Sequence, residues 1–116
     1  MNESLVIIPT YNEKENIDLI IKAVFSLGHK FDILVVDDNS PDGTANIVKE
    51  IQEVLKGTKA ENTLHLLQRK GKMGLGTAYI DGFKYGLSHN YTYMIEMDAD
   101  FSHDPKDLIK LYMACA

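Results

Sequence analysis

The sequence predicts an α/β domain built on a mostly parallel sheet with alternating helices, in the order β-α-β-α-β-α-β-α. Three observations predict it. Short, β-branched apolar runs alternate with longer stretches whose apolar residues recur every three or four positions. Strands alternating with helices imply a parallel sheet with right-handed crossovers. Polar clusters follow the apolar runs directly, where open α/β sheets bind their ligands. The chain of 116 residues is 45% hydrophobic, with 3 Pro and 8 Gly, which fits one globular domain over residues 1–116.

The first strand is residues 4–9, Ser-Leu-Val-Ile-Ile-Pro, a run apolar enough to be buried on both faces. From Glu13 the period changes. Ile17, Ile20, Ile21, Val24 and Phe25 share one face of a helix, and Gly28 is a fitting stop. Residues 31–36, Phe-Asp-Ile-Leu-Val-Val, form the second strand, and residues 37–43 are all turn-formers. A second helix carries Ile47, Val48, Ile51, Val54 and Leu55 as its stripe and closes at Gly57. Residues 63–67 form a third strand. A third helix follows, with Leu75, Ala78, Tyr79, Gly82, Phe83, Gly86 and Leu87 on its stripe. Its small residues Ala78, Gly82 and Gly86 would let the helix approach the sheet closely. Residues 91–97 form a fourth strand. Pro105 suits the first turn of a last helix with Leu108, Ile109 and Tyr112 as its stripe.

Composition removes several functions. A balance of 12 Lys+Arg against 17 Asp+Glu gives a net charge of −5, which argues against a general nucleic-acid binder with a basic face. The single Cys115 allows no internal disulfide and suggests a reducing compartment. No apolar run approaches the ~18–20 residues of a membrane span, and residues 1–4 lack the basic start of a signal peptide. The expectation is a soluble, acidic, cytoplasmic domain.

Three polar clusters fall at strand ends. Asp98-Ala99-Asp100 follows the fourth strand. Two carboxylates one residue apart can reach one site where the chain turns, and their hard oxygens suit Mg²⁺ or Mn²⁺. The same pair would serve as turn and cap residues before Pro105. Asp37 and Asp38 follow the second strand. Asp38 reads as a group able to hydrogen-bond a nucleoside, whereas residues 40–43 read as turn and cap chemistry. The run Pro9-Thr-Tyr-Asn-Glu13 follows the first strand. Tyr11 could stack on a base and Glu13 could accept from a ribose or base, or the run is a helix start capped by Asn12. Arg69, Lys70 and Lys72 precede Gly74-Leu-Gly76 and could meet phosphate oxygens or form a solvated basic loop. His103 stands near the Asp98–Asp100 cluster in sequence, while His29 and His65 have no metal-ligand spacing and read as surface or packing residues.

Pro9-Thr-Tyr-Asn-Glu13, Val36-Asp-Asp-Asn-Ser-Pro-Asp-Gly-Thr44, Gly74-Leu-Gly-Thr-Ala-Tyr-Ile80 and Met97-Asp-Ala-Asp-Phe-Ser-His-Asp-Pro105 together resemble one family. It is the dolichyl- or polyprenyl-phosphate mannosyltransferases, within the inverting family-2 glycosyltransferases of the Rossmann-like GT-A fold. The acidic pairs occur across many glycosyltransferases; the Gly-Leu-Gly-Thr-Ala-Tyr run joined to Asp-Ala-Asp-x-Ser-His narrows the resemblance. It implies transfer of a sugar, most often mannose from GDP-mannose, to a polyprenyl phosphate. The cytosolic face of a membrane would be reached through the acceptor. By motif position, Pro9, Tyr11 and Glu13 would line the nucleotide pocket, and Val36 and Asp38 would hold base and ribose. Asp98, Ala99 and Asp100 would meet the sugar diphosphate, with Asp98 and Asp100 as catalytic residues and ligands of Mg²⁺ or Mn²⁺. Where some relatives carry Gln two residues after the second Asp as a further metal ligand, this sequence has Ser102.

The family's catalytic domains are longer than this chain. The resemblance therefore makes it an amino-terminal half, without the acceptor-phosphate groups. Such a half would bind donor weakly, would not turn over, and would pair through raw sheet edges into a homo-oligomer. Two other readings compete. A receiver-type phospho-acceptor domain also sets acids at strand ends around Mg²⁺, but it wants them after the first and third strands. A non-catalytic interaction module on a glycosyltransferase fold would keep the architecture without the chemistry. A dehydrogenase is disfavoured because no Gly-x-Gly-x-x-Gly follows the first strand.

Overall fold

The computed structural model describes residues 3–26, 31–57, 62–70 and 75–97. Four strands, β1 (Ser4–Thr10), β2 (Phe31–Asp37), β3 (Leu64–Gln68) and β4 (Tyr93–Glu96), alternate with three helices, α1 (Ile17–Phe25), α2 (Thr44–Lys56) and α3 (Leu75–Ser88). All strand pairs are parallel, in the order β3-β2-β1-β4. The predicted α/β class and parallel sheet are both present. The last predicted helix, around residues 105–112, and the stop at Gly28 lie outside the described residues.

The order follows from chain direction. β1 to β2 to β3 advances one way across the sheet, while β3 to β4 returns past β2 and β1. Crossovers of one hand then put α1 and α2 on one face and α3 on the other. The apolar residues divide accordingly. Val6, Ile8, Ile33 and Val35 pack with Ile17, Ile20, Ile21 and Val24 of α1 and Val48 of α2. Their alternates Leu5, Ile7, Leu34 and Val36 pack with Ala78 of α3 and Tyr91. Every residue of β1 and β2 is buried, which is why these strands read as continuous apolar runs rather than alternating ones.

α3 lies close to the sheet because its inward stripe is small. A Cβ at Gly82 would stand 2.5 Å from Cγ2 of Ile7, and one at Gly86 would stand 2.5 Å from Sδ of Met94. Two predicted stripe residues face outward instead: Val54 is 66% and Leu87 65% exposed. In α2 the rest of the predicted stripe faces the core: Val48 is buried, with Thr44 and Ala45 beside it, and Ile47, Ile51 and Leu55 are partly buried and pack against the same cluster. The start of α1 also differs from expectation. Asn12 does not cap it; the helix begins at Ile17, and residues 13–16 form a turn in which the Asn16 and Ile17 amides donate to the Glu13 carbonyl.

Candidate functional site

The carboxyl ends of β1, β2 and β3 are zipped one residue beyond the strands. The Asp38 amide donates to the Thr10 carbonyl at 3.0 Å, and the Arg69 amide to the Asp37 carbonyl at 2.8 Å. On the other side of β1, the Met97 amide donates to the Ile7 carbonyl at 3.0 Å. β1 and β4 are the neighbours between which the sheet changes direction of growth, and open α/β sheets bind ligands at that switch point. The loops after β1 and β2 therefore share one rim, and β4, parallel to β1, runs toward the same side of the sheet.

Those two loops are fastened to each other. Asp37, fully buried, accepts from the Thr10 hydroxyl at 2.7 Å, the Ser40 hydroxyl at 2.6 Å and the Ser40 amide at 3.0 Å. Ser40 Oγ in turn accepts from the Asn12 amide at 2.9 Å. Thr44 Oγ1 accepts from the Glu13 amide at 3.1 Å and donates to Asp42 Oδ1 at 2.6 Å. Asp42 Oδ2 accepts from the Lys14 amide at 3.1 Å. Burial pushes the Asp42 carboxyl up, but the Thr44 hydroxyl and the Lys14 and Thr44 amides outweigh it and hold it below the ordinary carboxylate range. Residues 40–42 are thus structural, as the turn chemistry implies. Their work is to hold the β1–α1 loop as well as to open α2, where Asp42 also accepts from the Thr44 amide at 3.0 Å. Asn12 and Asn39 take positive φ of 56° and 57°, a conformation that asparagine tolerates better than most side chains.

Behind the rim lies an ion-pair network. Arg69 grips Asp38 through two parallel hydrogen bonds, Nε to Oδ1 and Nη2 to Oδ2, the latter at 2.8 Å. Its Nη1 reaches Thr77 Oγ1 at 3.1 Å and Asp81 Oδ2 at 3.0 Å, both on α3. Asp38 raises the Arg69 pKa most, burial opposes it, and Asp81 adds to the rise, so the guanidinium is permanently charged. Arg69 is therefore not part of a solvated loop, in contrast to one expectation for residues 69–72; Lys70 beside it is exposed.

Of the predicted binding residues, Tyr11 is 36% exposed and Glu13 half-buried, with Oε2 of Glu13 accepting from Asn16 Nδ2 at 3.2 Å. Asp38 is buried against Arg69. Pro9 and Val36 have buried side chains, Val36 within the core layer under α3. Asp98, Ala99, Asp100 and His103 lie outside the described residues, as does Lys72. Among the described residues no three His, Cys, Asp or Glu side chains gather in a way that could hold a metal ion. The sequence reading missed the Arg69–Asp38 pair and the hub role of Asp37. The signal was the register of β3 on β2, which sets Gln68 against Asp37 and so brings Arg69 level with Asp38.

The profile of Glycosyl transferase family 2 matches residues 5–115. A polyprenol monophosphomannose synthase of Mycolicibacterium smegmatis is 45% identical over 108 residues, covering 93% of this chain and 39% of the relative. An undecaprenyl-phosphate mannosyltransferase of Micrococcus luteus is 44% identical over 112 residues, covering 95% of this chain and 43% of the relative. The chain thus spans about two fifths of the length of these curated relatives. Among solved structures, S. aureus TarS superposes with a TM-score of 0.75 at 23% identity, over 97% of this chain and 32% of that one. The mannosyltransferase PcManGT from Pyrobaculum calidifontis, in complex with GDP-Man and Mn²⁺, superposes with a TM-score of 0.64 at 24% identity, over 72% of this chain and 24% of that one. These superpositions establish the GT-A type of fold.

Proposed function

The chain belongs to glycosyl transferase family 2, and from that membership we propose that it is the donor-binding part of a transferase moving mannose from GDP-mannose to a polyprenyl phosphate. The observation that carries this reading is the strand order β3-β2-β1-β4. It brings the loop after β1, with Tyr11 and Glu13, and Asp38 after β2 to one rim beside the switch point of the sheet, and β4, which Asp98–Asp100 follow in the sequence, runs toward the same side. The two relatives named for polyprenol- and undecaprenyl-phosphate chemistry support the acceptor class. The GDP-Man complex of the structural neighbour supports the donor.

In this reading Tyr11 and Glu13 meet the nucleoside from the β1 loop, Asp38 offers acceptor oxygens to base or ribose, and Pro9 and Val36 shape the floor beneath them. Asp98 and Asp100, with Ala99 between, hold the cation and meet the sugar diphosphate. A bound Mg²⁺ or Mn²⁺ supplies charge neutralisation for the departing diphosphate. An acceptor phosphate oxygen bonds to the anomeric carbon from the opposite face as the bond to the diphosphate breaks, with inversion. That phosphate is already anionic at pH 7, so the chain needs no strong general base. The acceptor in this reading is a membrane-borne lipid phosphate. Among the described residues no helix is long and apolar enough to cross a membrane.

Calorimetric titration of the chain with GDP-mannose and Mn²⁺, repeated with Asp100→Ala, tests the reading. Metal-dependent binding that the variant loses is the expected result. A folded chain that binds no donor with or without Mn²⁺ overturns it.

A further inference from the structure

We propose that Arg69 is a positioning residue for nucleotide recognition: it fixes the Asp38 carboxylate from behind and ties it to the first turns of α3. The inference rests on the donor-site reading above and assigns a role to a residue outside it. The sequence offers Arg69 as a phosphate hand, but the geometry points elsewhere. The side chains of Arg69 and Asp38 are 5% and 8% exposed, and the pair forms both parallel bonds of a guanidinium–carboxylate fork. Arg69 Nη1 is shared between Thr77 and Asp81. At least four of the five guanidinium N–H groups are committed inside the protein.

A buried ion pair is not an economical way to stabilise a sheet end, since apolar residues of similar volume would do as well or better. What the fork supplies is orientation. A carboxylate held at both oxygens cannot turn about its last torsion, so the directions of its lone pairs are fixed, which suits recognition of donor groups on a ribose or base. Lysine keeps the charge and loses the fork. The Asp81 arm, on a side chain 40% exposed, steadies the guanidinium from α3.

The experiment uses the full chain with two probes in the presence of Mn²⁺: GDP, which carries the nucleoside, and inorganic pyrophosphate, which does not. Arg69→Lys, Asp81→Asn, Asp38→Asn and the Arg69→Lys/Asp38→Asn pair are compared by calorimetry, with a thermal melt of each. Arg69→Lys should weaken GDP about tenfold, the equivalent of one good charged hydrogen bond, and leave pyrophosphate unchanged. Asp81→Asn, a milder change that the fold tolerates because the site is half open, should weaken GDP about threefold. The double variant should be no weaker than Asp38→Asn alone, because Arg69 acts through Asp38. Equal weakening of GDP and pyrophosphate overturns the proposal, since Arg69 would then touch phosphate or act only on the fold. Unchanged GDP affinity in both Arg69→Lys and Asp81→Asn overturns it while leaving the donor site standing. If the unaltered chain binds no GDP, the donor-site reading fails and this role falls with it.

Discussion

His65 sits at the centre of a hydrogen-bonded chain whose proton order its partners dictate. The Asp32 carboxylate can only accept, so the Tyr91 hydroxyl donates to Oδ2 at 2.7 Å. Tyr91 must then accept from His65 Nε2 at 2.8 Å, which makes that nitrogen the protonated one. His65 Nδ1 is left as the acceptor for the Tyr85 hydroxyl at 2.9 Å. The ring of Tyr85 is stacked on His89 with centroids 4.0 Å apart, and His89 Nδ1 donates to the Tyr85 carbonyl at 2.8 Å. A second proton on His65 has no acceptor here except a hydroxyl already donating to it. Burial lowers the His65 pKa from 6.5, Asp32 pulls it back up, and His89 lowers it further. Burial raises Tyr85, and burial together with Asp32 raises Tyr91, so both phenols stay protonated. The folded chain thus binds fewer protons at His65 than the unfolded one between the lowered value and 6.5. Stability from this group is complete above pH 6.5 and declines as pH falls through the folded value. Urea melts between pH 7 and 5 should show a decline in the native chain that is shallower in His65→Gln. Parallel slopes would remove His65 as the cause.

α3 illustrates how a single small residue fixes the seating of an element. At Gly82 two effects of substitution by alanine oppose each other. Alanine gains about 1 kcal/mol of helix propensity over glycine, but its Cβ would press on Cγ2 of Ile7, a β-branched and fully buried side chain with no free rotamer to escape into. Overpacking of this kind costs about 1–3 kcal/mol, so Gly82→Ala should lower stability by about 1 kcal/mol net. At Gly86 the obstacle is the thioether of Met94, a flexible and half-buried chain that can swing aside. Gly86→Ala should therefore be near neutral, and paired denaturant melts would separate the two sites. This helix also shows what the sequence could express. The periodic small residues Ala78, Gly82 and Gly86 announce a close approach because spacing along a helix is local information. The buried β1 and β2 are legible for the same reason, as is the polar character of their ends. The Arg69–Asp38 fork is not, because it joins residues 31 apart through the register of β3 on β2, which no local pattern encodes. Asn12 misled for a related reason. It looks like a helix cap, but its amide is taken by Ser40 of the neighbouring loop.

The sheet as a whole is thickest at its centre and thin at its margins. β1 and β2 are buried along their full length, while β3 is buried only at Leu64 and β4 at none of its residues. In the order β3-β2-β1-β4 the two outer strands each pair on one side only among the described residues. An unpaired strand presents a row of amides and carbonyls to any other chain. β4 does so with Tyr93, Met94 and Ile95 only half-buried and a single charge, Glu96, and it carries no proline to blunt the edge. β3 has His65 as its sole titratable residue. Among the described residues neither edge strand carries a lysine of the kind that commonly prevents edge-to-edge pairing. The net charge of −5 provides only diffuse repulsion, which is screened within about 8 Å at physiological salt. The chain alone should therefore self-associate as its concentration rises. Light scattering across a concentration series should give a mass growing beyond the 13.1 kDa of one chain. Because hydrogen-bonded strand pairing is little affected by screening, the growth should persist at high salt. A mass of one chain at every concentration would show that these edges do not pair, and pairing abolished by salt would place the contact on charged side chains instead.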